Sequence, residues 1–126
     1  MKPIIIALAL LVPSLALADK NYTGGKGATW DCAKDPTVNI NHGKGTYTFK
    51  GECKAINING GHNTLVIERV ETIDINGASN TVTAASVDAI NVNGADNKIT
   101  WKTSKGAGDK PAVSTLGQNN SVTRGK

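Results

Sequence analysis

Ile56-Asn-Ile-Asn-Gly-Gly-His-Asn63 is followed seventeen residues later by Ile73-Asp-Ile-Asn-Gly-Ala-Ser-Asn80. Seventeen residues further on comes Ile90-Asn-Val-Asn-Gly-Ala-Asp-Asn97. Each copy continues into a second alternating run, Thr64-Leu-Val-Ile67, Thr81-Val-Thr-Ala84 and Lys98-Ile-Thr-Trp101. A fixed period this short marks a solenoid, in which each repeat buries its apolar side by stacking on its neighbours.

The pattern extends both ways. Val38-Asn-Ile-Asn41 precedes the Ile56 copy by eighteen residues, and Tyr47 and Phe49 fall on Leu65 and Ile67 at the same spacing. Downstream, Val113-Ser-Thr-Leu-Gly117 and Asn120-Ser-Val-Thr123 match the Ile90 copy at a spacing of twenty-three. The extra residues lie in the Gly- and Lys-rich stretch 102–110, which reads as a loop bulging from one corner and too poor in apolar groups to order itself. Within a coil the apolar period is two, the signature of strands. Ile56 and Ile58 point inward, then Leu65 and Ile67, then a third column of Cys53, Val70 and Val87. The expected fold is all-β: a parallel β-helix of about five 17–18-residue coils. The section is triangular or a flattened two-sheet form, and right-handed by the general rule for parallel crossovers. Alternating Ile-Asn-Ile-Asn and recurrent Asn-Gly turns exclude a helical reading.

Met1-Lys2, the apolar run from Ile4 to Leu11 and Ala16-Leu17-Ala18 have the layout of a secretory signal peptide. Residues 1–18 are therefore expected to be cleaved, with 19–37 forming an amino-terminal cap and partial coil and 38–126 the repeat domain. No later apolar run is long enough to span a membrane. Removal of Lys2 lowers the formal charge of +4 by one. The remaining lysines are scattered and aromatics few, so nucleic-acid binding has no footprint.

An even cysteine count in an exported chain points to a disulfide. If 34–36 is a local insertion, Cys32 falls in the column of Cys53, one coil earlier, so the two are expected to bond. Tyr22 to Trp30 reads as a cover for one end of the stack. At the other end Arg124 and Lys126 discourage edge-to-edge pairing.

Two outward surfaces are candidates for function. One carries an Asn ladder, Asn41, Asn59, Asn76 and Asn93, beside Asn39, Asn57, Asp74 and Asn91. The other is a threonine face of Thr46, Thr48, Thr64, Thr81, Thr83, Thr100 and Thr123. Stacked amides bond along a solenoid and threonine suits exposed strands, so both surfaces have a purely structural explanation. The threonine array also resembles the ice-binding face of antifreeze β-helices, although Val66 and Lys98 interrupt it. The amides offer donors and acceptors to a glycan. No metal or catalytic constellation is evident: His42 and His62 occupy successive turns without a third ligand at usable spacing, and Asp74, Asp88 and Asp96 lie on different columns.

The leader-like start, the Ile-Asn-Ile-Asn-Gly-Gly-His-Asn run and its Asn-Gly-Ala-Ser-Asn and Asn-Gly-Ala-Asp-Asn copies resemble a bacterial family of secreted proteins, domain of unknown function 3060. The resemblance covers about Val38 to Thr123 and implies an extracytoplasmic repeat domain with no catalytic residues to transfer. The expectation is a secreted or periplasmic, non-catalytic module without a cofactor, meeting envelope polysaccharide or another envelope protein. The alternatives are a small enzyme acting on envelope glycans and an ice- or polysaccharide-binding threonine face.

Overall fold

A computed structural model describes residues 20–23 and 27–125. The expected signal peptide and Lys126 lie outside the described residues. The chain forms β1 (Lys20–Tyr22), β2 (Gly27–Asp31), β3 (Thr37–Ile40), β4 (Thr46–Asn59), β5 (Thr64–Ala78), β6 (Thr81–Ala95), β7 (Lys98–Thr103), β8 (Ala112–Gln118) and β9 (Ser121–Arg124). Among the described residues every strand pairing is parallel. The chain is a parallel β-solenoid.

The long strands β4, β5 and β6 each wrap three sides of a coil. Pairing of β5 with β6 runs to Ile67–Ala84, resumes at Arg69–Ser86 and Val70–Val87, and resumes again at Thr72–Ala89. The strand bends where the ladder lapses, at Glu68 and Glu71. The third corner is sharper. Its last residue but one is left-handed in successive coils, at His62, Ser79, Asp96 and Asn119 (φ 56–60°), a conformation that short polar side chains adopt more readily than branched ones.

The change from an eighteen- to a seventeen-residue spacing has a local cause. A register shift between Phe49 and Glu52 sets Lys50 and Gly51 against Glu68 alone, an extra residue accommodated as a β-bulge. Gly51 takes the positive φ of 79° that the bulge needs, and its N–H donates to Glu68 Oε1 at 3.2 Å.

Inside, the side chains form continuous columns. Val38, Ile56, Ile73 and Ile90 stack beside Ile40, Ile58, Ile75 and Val92; across the coil lie Tyr47, Leu65, Val82 and Ile99, then Phe49, Ile67, Ala84 and Trp101. All are buried. Burying each large aliphatic side chain contributes roughly 1.5–3 kcal/mol, so the columns are the main source of stability. Cys53, Val70 and Val87 close the third side. Cys32 and Cys53 are disulfide-bonded with Cα atoms 5.0 Å apart and a sequence separation of 21. On the loop-entropy argument a closure of that size contributes about 3 kcal/mol.

In the expected cap and partial coil, β1 pairs with β3 and β2 with β4, and Tyr22, Ala28 and Trp30 pack on the core; residues 24–26 lie outside the described residues. Two details differ from the sequence reading. Val113 does pair with Ile90, yet it is 49% exposed, because among the described residues no further coil covers it. The 102–110 stretch is ordered without apolar burial. Ala107–Asp109 makes a 3-10 turn, the Lys105 N–H donates to Asp88 Oδ1 at 2.8 Å, and the Thr103 hydroxyl donates to the carbonyl of Ala85.

Candidate functional site

A parallel strand turns alternate side chains outward, so the period that fills the core also sets the surface. The face carried by β1, β3, the carboxyl-terminal parts of β4, β5 and β6, and β8 displays two columns. The first runs Asn21, Asn39, Asn57, Asp74, Asn91, Ser114, and the second Asn59, Asn76, Asn93, Leu116. Asn41 extends the second column by one rung, through the bond it accepts from Asn59.

The amides bond along the stack. Asn57 Nδ2 donates to Asn39 Oδ1 at 2.8 Å and Asn39 Nδ2 to Asn21 Oδ1 at 3.0 Å. Asn91 Nδ2 donates to Asp74 Oδ1 at 2.7 Å. In the second column Asn59 Nδ2 donates to Asn41 at 3.0 Å and Asn76 Nδ2 to Asn59 at 3.4 Å. The ladder then stops: Asn93 makes no side-chain hydrogen bond among the described residues, and its neighbour on the next rung is Leu116. A shallow hollow opens there, lined by Asp74, Asn76, Asn91, Asn93, Ser114 and Leu116 over the backbone of Ile75 and Val92.

The threonine face lies on β2, the first part of β4, β5 and β6, β7 and β9. Thr46, Thr64, Thr81, Lys98 and Ser121 share one column; Thr29, Thr48, Val66, Thr83, Thr100 and Thr123 share the other. Val66 is 50% exposed, so an apolar patch and a charge interrupt the hydroxyl array.

A third, narrower side carries charge. Arg69 Nη2 stands 2.6 Å from Asp88 Oδ2, and its other terminal nitrogen donates to the Ser86 hydroxyl. Bonding from Arg69, with the Lys105 N–H adding to it, holds the Asp88 carboxyl below its ordinary range. Glu52, Lys54, Glu71 and Lys105 surround the pair. This cluster holds the loop against the rod. His42 and His62 lie at the sharp corner, His62 exposed and His42 half-buried. Among the described residues no group of three metal-ligating side chains converges.

A fourth column escaped the sequence reading. Asn63, Asn80 and Asn97 are buried at the sharp corner, with Asn120 continuing them. Their Nδ2 atoms donate to the carbonyls of His42, Gly60, Gly77 and Gly94 in turn. Their Oδ1 atoms accept the backbone N–H of Gly45, Asn63, Asn80 and Asn97. These amides satisfy the backbone where the turn breaks the ladder. The signal was in plain view, since Asn closes every copy of the repeat, but a turn residue and a buried ladder look alike in sequence.

Register-locked polar surfaces around a narrow stack define a parallel β-solenoid. The chain matches the family described as protein of unknown function (DUF3060) over residues 40–83 and again over residues 58–119, and it belongs to that family. The starts of the two matches are one coil apart, as expected where neighbouring coils are near-copies. No curated protein and no solved structure was found to be similar to it.

Proposed function

We propose that this protein is exported and works outside the cytoplasm as a non-catalytic module, displaying its polar faces to envelope polysaccharide or to another envelope protein. The observation that carries the reading is the asparagine face, where outward amides repeat in register over successive strands. Such a face offers many equivalent donors and acceptors in a plane, which suits a repetitive partner. The leader-like first eighteen residues support export. So does the Cys32–Cys53 disulfide, a bond that persists in oxidising compartments. Among the described residues no helix is long and apolar enough to cross a membrane.

Cell fractionation with amino-terminal sequencing tests export: a mature chain starting at Asp19 in the extracytoplasmic fraction is expected, and an uncleaved cytoplasmic chain overturns it. Co-sedimentation with washed cell-envelope material tests binding, and a chain that stays in the supernatant counts against it. New reducing ends released from that material by the purified chain would replace this reading with an enzymatic one.

A further inference from the structure

We infer that the outer surface of β5, β6 and β8 seats a neutral glycan, gripped where the outer asparagine ladder breaks; this rests on the binding role proposed above and names its ligand. Along Asn41, Asn59 and Asn76 each amide already donates to its neighbour. Those groups offer a ligand only what the ladder leaves over. One rung further the situation changes. Among the described residues the Asn93 amide and the Ser114 hydroxyl make no hydrogen bond, and Asp74 has given only Oδ1, to Asn91.

The break has a cause in the sequence. Leu116 stands where the next asparagine would be, so the column ends in an apolar side chain that is 64% exposed. The result is a hollow with open polar groups on both flanks, backbone at its floor and a leucine at one end.

That combination selects a ligand class. Sugar hydroxyls both donate and accept, which matches a carboxylate and amides placed side by side. The C–H face of a pyranose ring can rest on Leu116. An anionic ligand is disfavoured, because the hollow holds the Asp74 carboxyl group and no cationic side chain to offset it. A divalent cation is disfavoured too, since one carboxylate supplies too little charge and too few oxygens for the usual coordination. Geometry adds a further match. Rungs repeat at about 4.8 Å, close to the length of one sugar in an extended chain, so consecutive units can lie over the successive rungs of β5, β6 and β8.

The test uses the purified chain on an array of neutral oligosaccharides, with affinities then measured by titration calorimetry. Asp74→Ala and Asn93→Ala should each weaken binding by about tenfold, as expected for losing one hydrogen-bonded group. Thr83→Ala, on the opposite face, should bind as the unaltered chain does. All three positions are at the surface, and matching melting temperatures would establish that the variants are folded. Binding that survives both Asp74→Ala and Asn93→Ala, or that falls equally with Thr83→Ala, overturns the site. A chain that sediments with envelope material but ignores every neutral glycan overturns the ligand class while leaving the broader proposal standing. A chain that does neither overturns both.

Discussion

At the residue scale, the same side-chain type does two opposite jobs. Asn80 is fully buried: its Nδ2 donates to the Gly60 carbonyl and to Asn97 Oδ1, and its Oδ1 accepts the Asn63 N–H. Asn80→Ala would strand a buried N–H and a buried carbonyl, each costing roughly 1–3 kcal/mol, so urea denaturation should show a loss of about 2–4 kcal/mol. The outer Asn76 donates a single bond at 3.4 Å in water's reach, and Asn76→Ala should shift the midpoint hardly at all; equal losses for the two would mean that the corner amides do not hold the turns. One coil departs from the pattern. Gly45 occupies the position of Asn63 one coil earlier, and a Cβ there would lie 2.6 Å from the Tyr47 hydroxyl. The missing side chain makes room for the tyrosine ring, whose buried hydroxyl has no partner among the described residues. The inward columns were legible from the period-two pattern because burial of Ile and Val follows from alternation alone. The buried amide column was not, since asparagine is equally at home in a solvated turn.

At the scale of elements, the ladder spacing brings the backbones of successive coils into close contact at the sharp corner. A Cβ placed on Gly77 would sit 1.8 Å from the Gly60 carbonyl oxygen, and one on Gly94 would sit equally close to that of Gly77. Gly77→Ala therefore has to pry adjacent coils apart, and should lower stability by about 1–3 kcal/mol or more, read as a fall in melting temperature. A thermal midpoint unchanged by the methyl group would show that the corner is looser than this geometry requires. The third side makes a pH prediction. The Asp88 carboxyl is held below its ordinary range by bonding from Arg69, then by the Lys105 N–H. Its contribution is thus fully present above the unfolded carboxylate value near 3.9 and is lost as pH falls through the lower folded value. Asp88→Asn should be less stable than the unaltered chain at neutral pH, and the gap should close below about pH 4. A gap that stays constant into acid would show that the carboxylate's charge is not what matters. The position of this loop was readable from the broken spacing, but its anchor was not: the pairing of Arg69 with Asp88 spans nineteen residues and needs the coil geometry to bring the two together.

At the scale of the molecule, the first and last described rungs each place a cation in a column that elsewhere is apolar. Lys20 pairs with Val38 at the head of the inward Val38–Ile56 column, and its ammonium lies 4.5 Å from the centre of the Trp30 ring and 5.1 Å from that of Tyr22. Arg124 pairs with Trp101 at the foot of the Phe49–Ile67 column, its guanidinium 5.2 Å from the Trp101 ring and its Nε donating to the Lys102 carbonyl. A cation over an aromatic face gains attraction from the ring while its charge stays hydrated. The last aromatic is thereby covered without offering an apolar surface for another coil. Both ends carry the same sign, so head-to-tail stacking of two copies would bring like charges together in a partly dry seam. This protection matters most at the β8–β9 end, where every residue of β8 is exposed and an open strand edge invites pairing. Arg124→Val would continue the apolar column past Trp101 and remove the charge. Light scattering coupled to size-exclusion chromatography should then reveal concentration-dependent dimers or longer stacks, while Arg124→Lys, which keeps the cation, should remain as the unaltered chain is. If Arg124→Val stays monomeric across the soluble concentration range, the end of the rod is closed by something other than its terminal cation.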